Sequence, residues 1–179
     1  MKTLIINGSA QKDGDTLFLI NCFLKDATGE VVFFNCFFEN YGACIACKKC
    51  GGGVCKKSDD MQKLYKKLET CDNVIIASPV YFGNLTPPLL SVLSRLQCYY
   101  KNNYKTQPKI GKEKKGILIL TAGNNKIMYA KKYAGLMFKI LNAKIIGTID
   151  SLATDTTPAN SDKIAKAKAH KFSKEIFKT

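Results

Sequence analysis

The sequence predicts a doubly wound α/β fold, a five-stranded parallel sheet in the order 2-1-3-4-5 with helices on both faces. Two observations carry this. Strand-like and helix-like segments alternate five times along the chain. The strand segments are continuous apolar runs rather than alternating ones, as expected when both faces of a sheet are covered. The length, 179 residues, suits one domain with a sizeable core, and residues 1–179 read as that domain with a cysteine-rich loop at 39–57.

Residues 3–6, TLII, form a β-branched run ending at Asn7-Gly8-Ser9, and residues 16–25 are apolar at helical spacing. Residues 31–38, VVFFNCFF, read as the second strand. Residues 59–70 make an amphipathic helix with Met61, Leu64, Tyr65 and Leu68 on one face and Ser58 as the expected N-cap. VIIAS at 74–78 is the third strand. Pro87-Pro88 suits the first turn before a helix over Leu89–Tyr100. Residues 100–115 read as a polar surface loop, 116–121 as the fourth strand, 126–141 as a helix and 144–149 as the fifth strand. From about Ser161 a basic helix follows, with Ile164, Phe172 and Ile176 expected on its inner face.

The net charge is +14, and Arg95 is the single arginine among 28 basic residues. Nucleic-acid readers lean on arginine forks and interleaved aromatics, so scattered lysines describe a solvated surface better than a nucleic-acid interface. No apolar run reaches the roughly 18 residues of a spanning helix, and MKTLIINGSA reads as a buried strand rather than a signal peptide. A cytoplasmic protein with reduced thiols is expected, without nucleic acid or membrane as partner.

In an open parallel sheet, ligands bind beyond the carboxyl ends of the strands, where the strand order reverses. Three loops fall there. NGSAQKDGDTL (7–17) runs from a buried strand into a helix, with the backbone N–H groups and hydroxyls that suit a phosphate; it is neither a Walker loop nor a dinucleotide fingerprint, and a plain turn is the bland alternative. SPVYFGN (78–84) offers backbone amides and aromatic walls to the edge of a flat heterocycle, or else a structural proline turn. TAGNN (121–125) lets a ligand approach the backbone, or simply connects strand to helix.

CIACKKCGGGVC (44–55) places four cysteines at C-x2-C-x2-C-x4-C. Disulfides are disfavoured in the expected compartment. Zinc sites usually use two pairs a dozen or more residues apart, a pattern this compact cluster does not match but does not exclude. Close spacing with flexible glycines permits wrapping of an Fe–S cube, and Lys48, Lys49, Lys56 and Lys57 would offset four thiolates. Free thiols are the remaining alternative. Cys22, Cys36, Cys71 and Cys98 read as small buried hydrophobes. His170, the only histidine, reads as solvated, so histidine catalysis is not expected.

Asn7-Gly8-Ser9 with Gly14 and Thr16, Asp59-Asp60-Met61, and Ser78 to Asn84 together resemble the flavodoxin-like NAD(P)H-dependent FMN reductase family, in particular its iron–sulfur flavoprotein branch. The resemblance implies an FMN site. Ser9, Gln11, Asp15, Thr16 and Leu17 would hold the phosphate. Pro79, Val80, Tyr81, Phe82 and Gly83 would meet the isoalloxazine edge, with Thr121, Ala122 and Gly123 close to the flavin. It also implies that Cys44, Cys47, Cys50 and Cys55 ligate a [4Fe–4S] cluster where the thiols hold metal. No catalytic side chain is expected, because FMN carries the chemistry. NAD(P)H is the expected co-substrate, a dimer or tetramer the expected assembly, and an acidic carrier such as a ferredoxin the protein a basic surface would dock. Gln11 and Asp15 depart from the arginine and asparagine frequent in the family, so the phosphate pocket loses a cation and gains a carboxylate, for which Lys12 would compensate. The alternatives are a cluster-free NAD(P)H:FMN or quinone reductase and a redox-sensing DNA-binding regulator.

Overall fold

The computed structural model describes residues 1–50, 55–99 and 110–177. In chain order the elements are β1 (Lys2–Asn7), α1 (Asp15–Leu24), β2 (Glu30–Asn35), α2 (Met61–Thr70), β3 (Asn73–Tyr81), β4 (Asn84–Leu85), α3 (Pro87–Arg95), β5 (Lys114–Ala122), α4 (Met128–Ile140), β6 (Ala143–Leu152) and α5 (Lys163–Phe177). The parallel sheet runs β2-β1-β3-β5-β6, the order the sequence predicts, and the two-residue β4 pairs antiparallel with the end of β3.

Successive strand side chains point to opposite faces, and this alternation divides the core. Leu4, Ile6, Val74, Ile76, Leu118 and Leu120 face the layer of α2, α3 and α4. Ile5, Ile75, Ala77, Ile117 and Ile119 face α1 and α5. The central strands are buried on both sides, which is why they read as unbroken apolar runs. The edge strand β2 is half-exposed and ends at Asn35 rather than continuing to 38, because the Asn35 side chain accepts the Phe37 N–H at 3.0 Å and turns the chain. β3 runs three residues past its predicted end, through Pro79 to Tyr81. The polar loop expected at 100–115 lies mostly outside the described residues, but Lys114 and Lys115 already belong to β5.

Two helix expectations are corrected. The inner face of α5 is built from Ala165, Ala169, Ser173, Ile176 and Phe177, while Ile164 is 70% exposed. Small residues there let the helix lie close to the sheet. The N-cap of α2 is Asp60 rather than Ser58, and the adjacent Asp59 accepts the Met61 N–H at 3.2 Å. Among the described residues no helix is long and apolar enough to cross a membrane.

Candidate functional site

β1 pairs with β2 on one side and β3 on the other, so the loops leaving β1 and β3 diverge at the point where the strand order reverses. The loop after β1 is tied down there. Gly8 N–H donates to the Ala77 carbonyl at 2.7 Å, Asn7 Oδ1 accepts the Ser9 N–H at 3.0 Å, and the Thr86 hydroxyl donates to the Gly8 carbonyl at 2.8 Å. Thr86 stands at the N-cap of α3 but makes no cap bond; its hydroxyl is spent on the loop instead.

α1 begins after Gly14, which provides no side-chain cap, and the first intrahelical bond runs from Phe18 N–H to the Gly14 carbonyl at 3.0 Å. The N–H groups of Asp15, Thr16 and Leu17 therefore have no acceptor among the described residues. They sit at the positive end of the helix dipole, the arrangement that binds phosphate. Thr16 is joined to the third loop by a buried hydrogen bond, its hydroxyl 2.7 Å from that of Thr121. The second loop is a two-residue hairpin between β3 and β4, with positive φ at Phe82 (52°) and Gly83 (79°), the backbone of a type I′ turn. Glycine adopts this freely, whereas phenylalanine is strained there, and Phe82 is held out fully exposed.

These loops enclose a cleft of about 240 Å³. It is lined by Ser9, Gln11, Asp15, Thr16, Pro79, Val80, Tyr81, Thr121, Ala122 and Gly123, ten of the thirteen residues assigned to FMN from sequence. Leu17, Phe82 and Gly83 lie outside the lining. Thr154 and Asp155, which the sequence reading missed, complete it. Thr154 N–H donates to the Ala122 carbonyl at 3.0 Å, and the Asp155 carboxylate takes the space a Cβ on Gly123 would need. The signal available in sequence was position alone: TDTT follows the last strand at the same rim.

The two departures in the phosphate loop have a structural answer. Asp15 turns its carboxylate to the Ala159 N–H, at 2.7 Å, so its charge is partly met by the segment before α5. Lys12 does not replace the missing arginine: its Nζ lies 5.8 Å above the Phe38 ring and it does not line the cleft.

Cys44, Cys47, Cys50 and Cys55 line a second cavity, of about 180 Å³, with Arg95 and Lys57. Ala46 and Lys48, both at positive φ, wind the backbone between the first three cysteines. The loop is anchored by the Cys44 N–H, which donates to the Ser94 hydroxyl at 3.0 Å. Burial pushes the Cys50 thiol up, and the three neighbouring thiols add to this. Burial would also raise Cys55, but the Lys57 backbone N–H and the Arg95 guanidinium together hold it below its ordinary value. Among the described residues no three metal-ligating groups converge as a single-ion site. A multi-iron cluster instead needs thiolates spread around it, and four thiols around one cavity fit that donor set. Cys36, Cys71 and Cys98 are buried as expected, with Cys22 partly so. The His170 side chain is 41% exposed.

A family model described as NADPH-dependent FMN reductase matches residues 1–157. An iron-sulfur flavoprotein of Methanocaldococcus jannaschii is 32% identical over 129 residues, 69% of this chain and 63% of that protein. One of Archaeoglobus fulgidus is 29% identical over 115 residues, 62% of this chain and 56% of that protein. The matches to these curated relatives therefore span less than two thirds of their length. Among solved structures, an NAD(P)H:quinone oxidoreductase from Methanothermobacter marburgensis superimposes with a TM-score of 0.75 at 13% identity, covering 98% of this chain and 96% of the other. An FMN-dependent NADH-azoreductase from Bacillus anthracis, solved with FMN, gives 0.70 at 14% identity, covering 98% and 99%. At such identities the structural likeness is one of fold. The sequence match is what assigns the family: this chain belongs to the NADPH-dependent FMN reductases.

Proposed function

We propose that this chain is an oxidoreductase that binds FMN in the rim cleft and passes electrons from NAD(P)H or a reduced carrier to a small-molecule or protein acceptor. The observation that carries the reading is the uncapped N-terminus of α1, where Asp15 and Thr16, their N–H groups unpaired among the described residues, line a cleft walled by the ends of β3 and β5. FMN, when bound, supplies the redox chemistry, taking up a hydride or single electrons and giving them on. The chain's own residues bind and orient it. The N–H groups of Asp15, Thr16 and Leu17, with the Ser9 hydroxyl and Gln11, hold the phosphate. The backbone of Pro79 to Gly83 flanks the ring edge, Tyr81 and Phe82 shape the approach to it, and Thr121 to Gly123 close the other side. Asp155, a carboxylate beside the third loop, repels the phosphate from that end and so favours one orientation of the cofactor.

The FMN-loaded chain, mixed without oxygen with NADH or NADPH, is expected to lose its flavin absorption and regain it on addition of a quinone. Retention of the absorption with both nucleotides and with a reduced ferredoxin contradicts the reading.

The cavity of Cys44, Cys47, Cys50 and Cys55 supports a [4Fe–4S] cluster exchanging single electrons with the flavin, in line with the names of the curated relatives. A second reading, the cluster-free NAD(P)H:FMN or quinone reductase, is favoured by the exposure of Cys44 and Cys47. Iron and sulfide analysis after anaerobic purification separates the two. An oligomer is supported by the apolar surface of Tyr81, Phe82, Met128, Tyr129 and Tyr133 beside the cleft. A reducing, cytoplasmic setting suits eight free cysteines.

A further inference from the structure

We propose that Arg95, clamped by Asp59, is a positioning residue for the group held at Cys44, Cys47, Cys50 and Cys55, and that its guanidinium sets the potential at which that group takes up an electron. The inference rests on the [4Fe–4S] reading above.

Arg95 is the one arginine in a chain whose 27 other Lys/Arg residues are lysines, and its side chain is 1% exposed. It stands at the last position of α3 yet reaches three other segments. Nη1 donates to Asp59 Oδ2 at 2.6 Å and to the Gly42 carbonyl at 3.0 Å. Nη2 donates to Asp59 Oδ1 at 3.1 Å and to Cys55 Sγ at 3.4 Å. Nε is buried and has no partner among the described residues. A guanidinium has five N–H groups, so four are committed and the fifth is left without an acceptor beside a cavity lined by four thiols. Buried donors are almost always paired, and a sulfur of a cluster held there would offer the missing acceptor.

The choice of arginine follows from this geometry. A planar fork grips a carboxylate at two points and still presents N–H groups to sulfur, which a lysine ammonium cannot do in one fixed arrangement. Asp59 sits just before the N-cap of α2 and Cys55 on the cysteine loop, so the ion pair also fixes the loop against the helical layer.

Uptake of one electron adds one negative charge to the cluster and requires no proton. In turnover reduced flavin would be the donor, and dithionite replaces it in the assay. A fixed cation and N–H···S bonds stabilise the reduced form and raise the potential, whereas the Asp59 carboxylate offsets part of that field. The two partners therefore act with opposite sign. Arg95→Gln lowers the potential; Asp59→Asn, which keeps the shape and removes the negative charge, raises it. General loosening of the site would move both variants the same way.

The test uses the full chain, reconstituted anaerobically with iron and sulfide and titrated with dithionite while the reduced cluster is followed by electron paramagnetic resonance. At the wild-type midpoint the reduced-to-oxidised ratio is expected to fall at least tenfold in Arg95→Gln, equivalent to about 59 mV for one electron. Asp59→Asn is expected to move it upward, and Arg95→Lys to lie between wild type and Arg95→Gln. If Arg95→Gln does not retain iron, the Asp59→Asn and Arg95→Lys titrations decide. Superimposable titrations at full iron content overturn the inference, as does a shift of Arg95→Gln and Asp59→Asn in the same direction. A wild-type chain that takes up no iron or sulfide while still binding FMN overturns the cluster reading itself, and this inference with it.

Discussion

Among the described residues the hydrogen bond between Thr16 and Thr121 is the one side-chain hydrogen bond between the first and third loops of the cleft, and its removal has a definite expected cost. The hydroxyls are 2.7 Å apart, and the residues are 2% and 4% exposed. Thr16→Val keeps the shape of the side chain and leaves the Thr121 hydroxyl buried without its partner. An unsatisfied buried hydroxyl costs about 1–3 kcal/mol, whereas replacing both partners by groups of the same shape is nearly neutral. Thr16→Val and Thr121→Val should therefore each destabilise the apoprotein by about that amount, and the double variant by less than either single one. For a chain of this size each kcal/mol corresponds to roughly 2–4 °C in Tm. Urea unfolding of the wild type, both single variants and the double variant closes the cycle, with a coupling of about 2 kcal/mol or more expected. Repeating it with FMN should show both single variants binding more weakly than wild type. Single effects that add to within about 0.5 kcal/mol would refute the argument, because they would mean that neither hydroxyl depends on the other.

Gly8 permits the closest approach of loop to helix: a Cβ there would lie 2.9 Å from Thr86 Oγ1 and 3.1 Å from both Leu89 Cδ2 and Ser78 Oγ. Gly8→Ala should therefore cost about 1–3 kcal/mol in urea unfolding and weaken FMN binding. Phe82→Gly should relieve about 1–2 kcal/mol of left-handed backbone strain while lowering the oligomer fraction in sedimentation. Burial opposes ionisation of Asp59 and Asp150, but Arg95 holds the first carboxyl below its usual range and Lys168 with Lys131 the second. Their contribution to stability is thus present above about pH 4 and is lost as pH falls through the depressed values, so the urea midpoint should drop below pH 4, less steeply in Asp59→Asn.

The sequence reading was most legible where one local pattern has one structural meaning. Apolar runs such as TLII and VIIAS are strands covered on both sides, and their carboxyl ends locate the cleft. Features that depend on distant segments meeting were not legible. Thr154 and Asp155 join the cleft only because β6 lies next to β5. Phe82 adopts a backbone that its residue type disfavours, because the hairpin to β4 imposes it. Ile164 looked internal by spacing, but the small side chains of Ala165 and Ala169 set the rotation of α5. Arg95 drew notice in the sequence as an only arginine, and that suggested nothing about Gly42, Cys55 or Asp59, which reach it from three other places in the chain.

The claim on which the account depends is that the rim cleft between β1, β3 and β5 takes FMN. A fluorescence-quenching titration of the apoprotein with FMN tests it most directly. Saturation at one FMN per chain is expected, with weaker binding in Thr16→Val and Gly8→Ala and unchanged binding in Cys47→Ala. Flavin fluorescence that remains unquenched at excess protein, or quenching that Cys47→Ala abolishes and Gly8→Ala leaves intact, would contradict it.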